Sequence, residues 1–264
     1  MRARALSRAL RRAPPVKQPL FARALVWSNS RVYYNYTVMV IKGLRKLTLL
    51  DFPDKVACIV YTGGCNFRCP FCQNAVLVEG GGEYISNEEF FAFLKERKGR
   101  LDGVCITGGE PLIQKGIAEF AEACKYLGYA VKADTNGYMP DVLEDMLKRK
   151  CLDYVAMDVK NSAPKYAVTA GLPGLDISRI NRSIDLILNS GVDYEFRTTV
   201  VKDFHDENDF HEIGKRLKGA KRCYLQKFRD EGGTLVEGLA APTDAEMSKY
   251  SEILSAYVDE VNIR

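Results

Sequence analysis

The chain has 264 residues, a formal charge of +4 and eight cysteines, with 27% of its residues charged. The basicity is local: residues 1–38 carry eight basic side chains and no acidic one, which leaves 30 basic against 34 acidic residues, a net of −4, for the rest. Nothing in that balance supports a nucleic-acid-binding surface on the body. Eight cysteines read as reduced thiols or metal ligands rather than a disulfide framework, and no apolar run approaches the ~18 residues needed to cross a bilayer, so a cytoplasmic, membrane-free protein is expected.

Residues 1–38 form a basic N-terminal extension interrupted by Pro14, Pro15 and Pro19. A translated upstream region, a disordered basic arm and an organellar targeting peptide all share this composition, whereas a secretory signal is not expected, because Lys17, Arg23 and the prolines interrupt any apolar core. Met39 precedes Val40-Ile41-Lys42-Gly43-Leu44, which reads as a natural beginning, so the folded domain is expected over 39–264.

From Lys46 onward, strand-like and helix-like segments alternate, the pattern of a parallel α/β sheet or barrel. Val56–Tyr61 is a short apolar strand that delivers the chain into Thr62-Gly63-Gly64-Cys65-Asn66-Phe67-Arg68-Cys69-Pro70-Phe71-Cys72. Cys65, Cys69 and Cys72 stand at Cys-x3-Cys-x2-Cys, short spacers that let the backbone wrap one side of an iron–sulfur cube. A closed 4Fe–4S cluster takes four thiolates, and no fourth cysteine follows within ligand spacing. One iron is thereby left open, and an open metal position is where chemistry occurs.

Ser86-x-x-Glu89 has capping-box spacing and opens a helix through Phe90, Phe91, Phe93 and Leu94. Val104-Cys105-Ile106 is the second strand. A helix on Ile117, Phe120, Cys124 and Leu127 follows and stops at Gly128. Tyr129–Ala133 is strand three, Pro140–Lys148 a helix, and Tyr154–Val159 strand four. Ile180, Ile184, Ile187 and Leu188 mark the next helix, then Tyr194–Val201, a helix over Asp206–Leu217, and Arg222–Phe228. Thr243-x-x-Glu246 caps a last helix. Six strand–helix units without an internal repeat give an α/β fold, an incomplete (β/α)6 barrel. Reactive groups of such barrels sit at the C-terminal ends of the strands. Gly108-Gly109-Glu110, Asp134-Thr135-Asn136 and Asp158/Lys160 all fall there, as the cysteine loop does.

Cys65, Cys69 and Cys72, with Phe71 before the last cysteine, resemble the cluster motif of the radical S-adenosylmethionine (SAM) superfamily, and Gly108-Gly109-Glu110 is similar to its SAM-binding motif. Asp134-Thr135-Asn136-Gly137 and Met157-Asp158-Val159-Lys160 resemble the activating enzymes of glycyl-radical enzymes, most closely the activating proteins of anaerobic ribonucleoside-triphosphate reductase. The likeness runs from about Gly43 to the C-terminus. It implies one 4Fe–4S cluster, SAM bound at the open iron, and reductive cleavage of SAM to methionine and a 5′-deoxyadenosyl radical. That radical would take a hydrogen atom from one glycine of a partner enzyme, with a one-electron donor such as flavodoxin or ferredoxin.

Within that resemblance, Gly108 and Gly109 hold the amino group of SAM and Glu110 fixes the turn. Asp158 and Lys160 lie two apart on a strand and share a side. They read either as an internal salt bridge or as a place where Lys160 meets the SAM carboxylate or ribose. Asp134 and Asp158 are implied to share a monovalent cation. Glu195, Arg197 and Thr199 share one face of strand five and suggest a solvated lumen; Arg197 is a SAM contact or a structural partner of Glu195. Tyr224, Gln226 and Phe228 alternate on strand six, where either parity could line the adenine. The resemblance also implies a histidine contact to SAM after strand five, while surface placement is the plainer reading for both His205 and His211. Cys58, Cys105 and Cys124 read as buried free thiols, and Cys151 and Cys223 are isolated. Two other functions fit parts of this pattern: a radical SAM enzyme acting on a small molecule, as in 7-carboxy-7-deazaguanine synthase, and a non-catalytic iron–sulfur module. In the first, a magnesium-site residue is expected near the third cysteine, which Gln73-Asn74 does not clearly provide.

Overall fold

The computed structural model describes residues 39–264, together with an antiparallel pairing of β1 (Trp27–Ser28) with β2 (Arg31–Val32). The alternatives for the extension otherwise lie outside the described residues. Thr37–Arg264 is one compact unit. Its sheet has eight strands in the order β10-β9-β8-β7-β6-β5-β4-β3. These are β3 (Ile41–Thr48), β4 (Ala57–Thr62), β5 (Gly103–Gly108), β6 (Ala130–Thr135), β7 (Tyr154–Asp158), β8 (Asp193–Val200), β9 (Arg222–Lys227) and β10 (Glu260–Ile263). β4 through β10 run parallel and β3 pairs antiparallel with β4. The sheet does not close, so β3 and β10 form two edges of a partial barrel.

The six central strands are the six read from the sequence. Both edges are additions. β3 carries Lys42, Arg45 and Lys46 and has a solvent-facing middle, so it lacks the apolar run of a central strand. β10 is only four residues long.

The helices are α1 (Ala75–Val78), α2 (Asn87–Glu96), α3 (Ile117–Tyr126), α4 (Pro140–Lys148), α5 (Ala163–Thr169), α6 (Ile177–Asn189), α7 (Glu207–Arg216) and α8 (Asp244–Ser255). Their starts follow local chemistry. The Ser86 hydroxyl accepts the Glu89 amide at the head of α2, and reciprocal capping boxes open α7 at Asp206 and α8 at Thr243. The short α1 and α5 lack the length for a readable period and were not anticipated. No helix among the described residues is long and apolar enough to cross a membrane.

The outer core lies between sheet and helices. Phe120 of α3 stacks on Phe90 of α2 at 5.2 Å and meets Phe91 at the same distance. All three rings are buried. Phe120→Ala should therefore cost about 3–5 kcal/mol and lower the melting temperature by roughly 6–20 °C, read by thermal unfolding. The inner face is polar instead. Cys105 pairs with Lys132, Asp134 with Ala156, Ala156 with Glu195, and Asp158 with Arg197 across successive strands. Charged rows therefore line the lumen beneath the strand ends.

Candidate active site

The cysteine loop is tied to the β5 turn by main-chain and amide hydrogen bonds. Gly109 N–H donates to Thr62 O at 2.9 Å and Glu110 N–H to Gly64 O at 2.9 Å. The Asn74 amide donates to Gly108 O at 3.0 Å, and Gln114 to Gly63 O at 2.7 Å. Such proximity requires glycine. Gly108 has φ +118°, and a Cβ on Gly109 would lie less than 3.0 Å from the Gly64 carbonyl oxygen. From the other side, Arg68 N–H donates to Ala170 O at 2.9 Å, just after α5, and the amide of Val236 reaches Pro70 O at 2.9 Å. The Gly232–Gly238 loop thus lies against the cysteine loop.

A cavity of about 440 Å³ opens at the C-terminal ends of the strands. The cluster and SAM-motif residues read from the sequence border it: Cys65, Cys69 and Cys72 with Phe71 from the first loop, Gly108, Gly109 and Glu110 from the second, Asp134, Thr135 and Asn136 from the third, then Asp158, Lys160 and Arg197. Thr199 and Gln226 border it too, which places the parity of β9 with Gln226 inward. Tyr61, Arg45 and Asp51 complete the wall on the β3 side and had not been selected.

The three cysteines are free thiols. Burial pushes the Cys65 thiol up to about 12 and Cys69 to about 11. Loading a metal must therefore displace protons from these groups. No group of three His, Cys, Asp or Glu side chains among the described residues converges on a single ion. Three thiols on one wall of a cavity, without histidine among its lining, suit a multi-iron cluster whose ligands are spread over its corners. Cys65 Sγ accepts from the Phe67 amide at 3.3 Å and from the Asn136 amide at 3.9 Å. Beside it, Asn66 Oδ1 accepts from Asn136 at 2.7 Å, while the buried Asn66 Nδ2 has no partner among the described residues. The donor set and its glycine cradle fit an iron–sulfur cluster with a small ligand beside it.

Glu110 is 1% exposed and joins two loops. Its carboxylate accepts from Leu112 N–H at 3.1 Å, Thr135 Oγ at 2.7 Å and Asn136 N–H at 2.7 Å. Burial raises it to about 7 against the pull of those three donors. The sequence reading of Glu110 as the group that fixes the turn corresponds to this geometry.

Asp134 and Asp158 are half-buried, yet both carboxyls stay below the ordinary range. Burial acts upward on each, and the adjacent cations outweigh it, Arg197 and Lys132 for Asp134, Arg197 and Lys160 for Asp158. Lys160 donates to Asp158 at 2.9 Å, the internal salt bridge of the sequence reading, and also borders the cavity. Arg197 lies 3.9 Å from Glu195 but makes its closer pairs with the two aspartates. Glu195 is instead held by the Tyr154 hydroxyl at 3.1 Å and by Arg264 at 3.6 Å.

Lys132, 3% exposed at its side chain and 2.6 Å from Asp134, was missed. Its signal was its place two residues before Asp134 on one strand, which puts both on the lumen side. His205 corrects an expectation. It is 5% exposed, with Nε2 at 2.9 Å from Lys160 O, and its ring packs on Phe210. It braces the chain behind Lys160 and does not border the cavity, and burial lowers its pKa. His211 is exposed.

Residues 59–217 match the radical SAM superfamily. A provisionally named glycyl-radical enzyme activating enzyme of Methanocaldococcus jannaschii is 35% identical over 236 residues, covering 85% of this chain and 95% of the relative. A 7-carboxy-7-deazaguanine synthase of Koribacter versatilis is 31% identical over 157 residues, 58% of this chain and 66% of that protein. Among solved structures, a domain of pyruvate-formate lyase-activating enzyme from Bacteroides vulgatus superposes with a TM-score of 0.50 at 17% identity, over 61% of this chain and 98% of that domain. Streptococcus suis SuiB bound to S-adenosylmethionine gives 0.61 at 16% identity, over 78% of this chain and 49% of its own. Both superpositions speak for the partial-barrel fold. With the superfamily matched across more than half its length, the chain belongs to the radical SAM superfamily and is an enzyme of the kind that works with a 4Fe–4S cluster and S-adenosylmethionine.

Proposed function

We propose that this enzyme activates a glycyl-radical enzyme in the cytoplasm, with anaerobic ribonucleoside-triphosphate reductase as partner and flavodoxin or ferredoxin as electron donor. The observation that carries the reading is the 35% identity to a glycyl-radical enzyme activating enzyme over 95% of that relative. When bound, the cluster and SAM supply one-electron cleavage of a sulfonium carbon–sulfur bond, a reactivity that belongs to the cofactors.

The chain's own work is placement. Cys65, Cys69 and Cys72 hold the cluster on one wall. Gly108 and Gly109 offer backbone without Cβ obstruction for the amino group of SAM, and Lys160 and Arg197 face its carboxylate. Phe67 and Phe71, buried and braced by Tyr138 and Phe204 at 5.5 and 5.9 Å, keep water from the cysteine loop. The reaction takes a hydrogen atom and not a proton, so no general base is assigned. A sheet with two free edges suits a substrate that is a loop of another protein.

A second reading, chemistry on a small heterocycle, is supported by the 31% identity to 7-carboxy-7-deazaguanine synthase. Against it, the two side chains after the third cysteine, Gln73 and Asn74, are neutral amides that donate to main-chain carbonyls, Gln73 to Arg229 O at 3.3 Å and Asn74 to Gly108 O at 3.0 Å, and offer a magnesium ion no carboxylate. Anaerobic reconstitution with iron and sulfide, followed by assay for 5′-deoxyadenosine, tests SAM cleavage. Addition of a candidate anaerobic reductase should then give a glycyl-radical EPR doublet on the partner. SAM cleavage with ring-contraction product and no doublet would overturn the partner assignment.

A further inference from the structure

The pair of carboxylates implied to share a monovalent cation, Asp134 and Asp158, already has a cationic donor on each of its four oxygens. Asp134 Oδ1 receives Lys132 Nζ at 2.6 Å, and its Oδ2 receives Arg197 Nη1 at 3.2 Å. Asp158 Oδ1 receives Arg197 Nε at 2.8 Å, and its Oδ2 receives Lys160 Nζ at 2.9 Å. The side chains are between 3% and 27% exposed. Arg197 on β8 pairs with Asp158 on the neighbouring β7 and reaches across that strand to Asp134 on β6, because the β7 residue opposite Asp134 is the small Ala156. A larger side chain there would stand in the guanidinium's path.

Three cations on two carboxylates leave the cluster one positive charge in excess. A further acid, Glu195, is 3.9 Å from Arg197 and is shared with Arg264 at 3.6 Å, so with both included four cations face three carboxylates and the excess of one remains. An alkali ion at this place would have to share oxygens that each already face a cation, and would add a second unbalanced charge in a half-buried lumen. An anionic group entering from the cavity side would instead neutralise the excess. Arg197 is suited to bridging because its fork offers donors in fixed directions, which a lysine does not.

We propose that Arg197 serves as the chain's own cation at this position, so that SAM binding by this enzyme requires neither sodium nor potassium. This rests on the assignment of SAM to the cavity and not on the identity of the partner enzyme. The test is titration of the cluster-loaded enzyme with SAM in tetramethylammonium chloride, compared with sodium or potassium chloride at equal ionic strength. Wild type should show SAM dissociation constants within about twofold across the three salts, whereas Arg197→Gln should bind about tenfold more weakly in tetramethylammonium and recover part of that loss with potassium or sodium. Tightening of wild-type binding by about tenfold on adding either alkali ion would overturn the proposal, as would an Arg197→Gln enzyme that binds SAM normally in tetramethylammonium. The melting temperature of the wild-type protein supplies a readout without SAM. It should be the same in the three salts, and a rise specific to sodium or potassium would also refute the assignment. Absence of SAM binding in every salt would break the placement of SAM in this cavity, while the melting comparison still decides the question of the cation.

Discussion

Cys69→Ala should abolish cleavage of SAM, lowering 5′-deoxyadenosine formation by at least ~10³-fold, equivalent to about 4 kcal/mol. Cys69 is the most buried of the three loop cysteines and lies near Lys160, so it is the thiol that joins the cluster wall to the charged lumen. With two thiolates left, an iron–sulfur cluster has too few protein ligands to persist. Iron and sulfide content should fall together with activity, which separates loss of the cofactor from loss of a catalytic group. Cys151→Ala is the matching control. Cys151 is buried, and its Sγ approaches Met146 O at 3.2 Å, remote in sequence from the motif and absent from the cavity wall. It should keep its full iron content. Unaltered turnover in Cys69→Ala would refute the ligand assignment.

Gly109→Ala should be the most damaging change of a residue that carries no functional group. The added methyl would collide with Gly64 O, and neither strand end can retreat, because Gly109 N–H and the neighbouring Glu110 N–H are both committed to the first loop. Overpacking at a fixed site costs about 3 kcal/mol, which at this chain length lowers the melting temperature by roughly 6–12 °C. SAM binding should be lost even in protein that remains folded, since relieving the collision pushes the Gly108–Glu110 turn away from the cysteine loop. Gly99→Ala is the comparison: φ is +75°, but nothing lies within 4 Å of its Cβ. It should cost only the roughly 1 kcal/mol of a left-handed alanine and leave the cluster intact. Equal effects of the two substitutions would show that backbone conformation, and not the close contact, sets the cost at Gly109.

The strands that build the site were legible because each is a short apolar run ending in glycine or in polar residues, and parallel order then places all the ends on one side. Val104-Cys105-Ile106 before Gly108-Gly109 is the clearest instance. The partners of the lumen charges were not legible. That Arg197 faces inward follows from its parity with Glu195 and Thr199. That it bridges Asp134 and Asp158 depends on three strands being adjacent and on a small residue between two of them, which no local spacing reports. His205 escaped for a related reason. Its ring nitrogens are satisfied by main-chain atoms of Lys160 and Val201, and a backbone partner leaves no trace in side-chain patterning. β3 was hidden by its composition, since an edge strand needs an apolar side only where it meets the core.

The hydrogen bonds that fasten the cysteine loop to the β5 turn run between backbone and amide groups, and none of those ties uses a thiol. The loop's shape is therefore a property of the polypeptide itself. An iron centre lost from this loop would leave its main-chain frame standing, so iron, sulfide and a thiol reductant added back without oxygen should restore the centre on the same molecule.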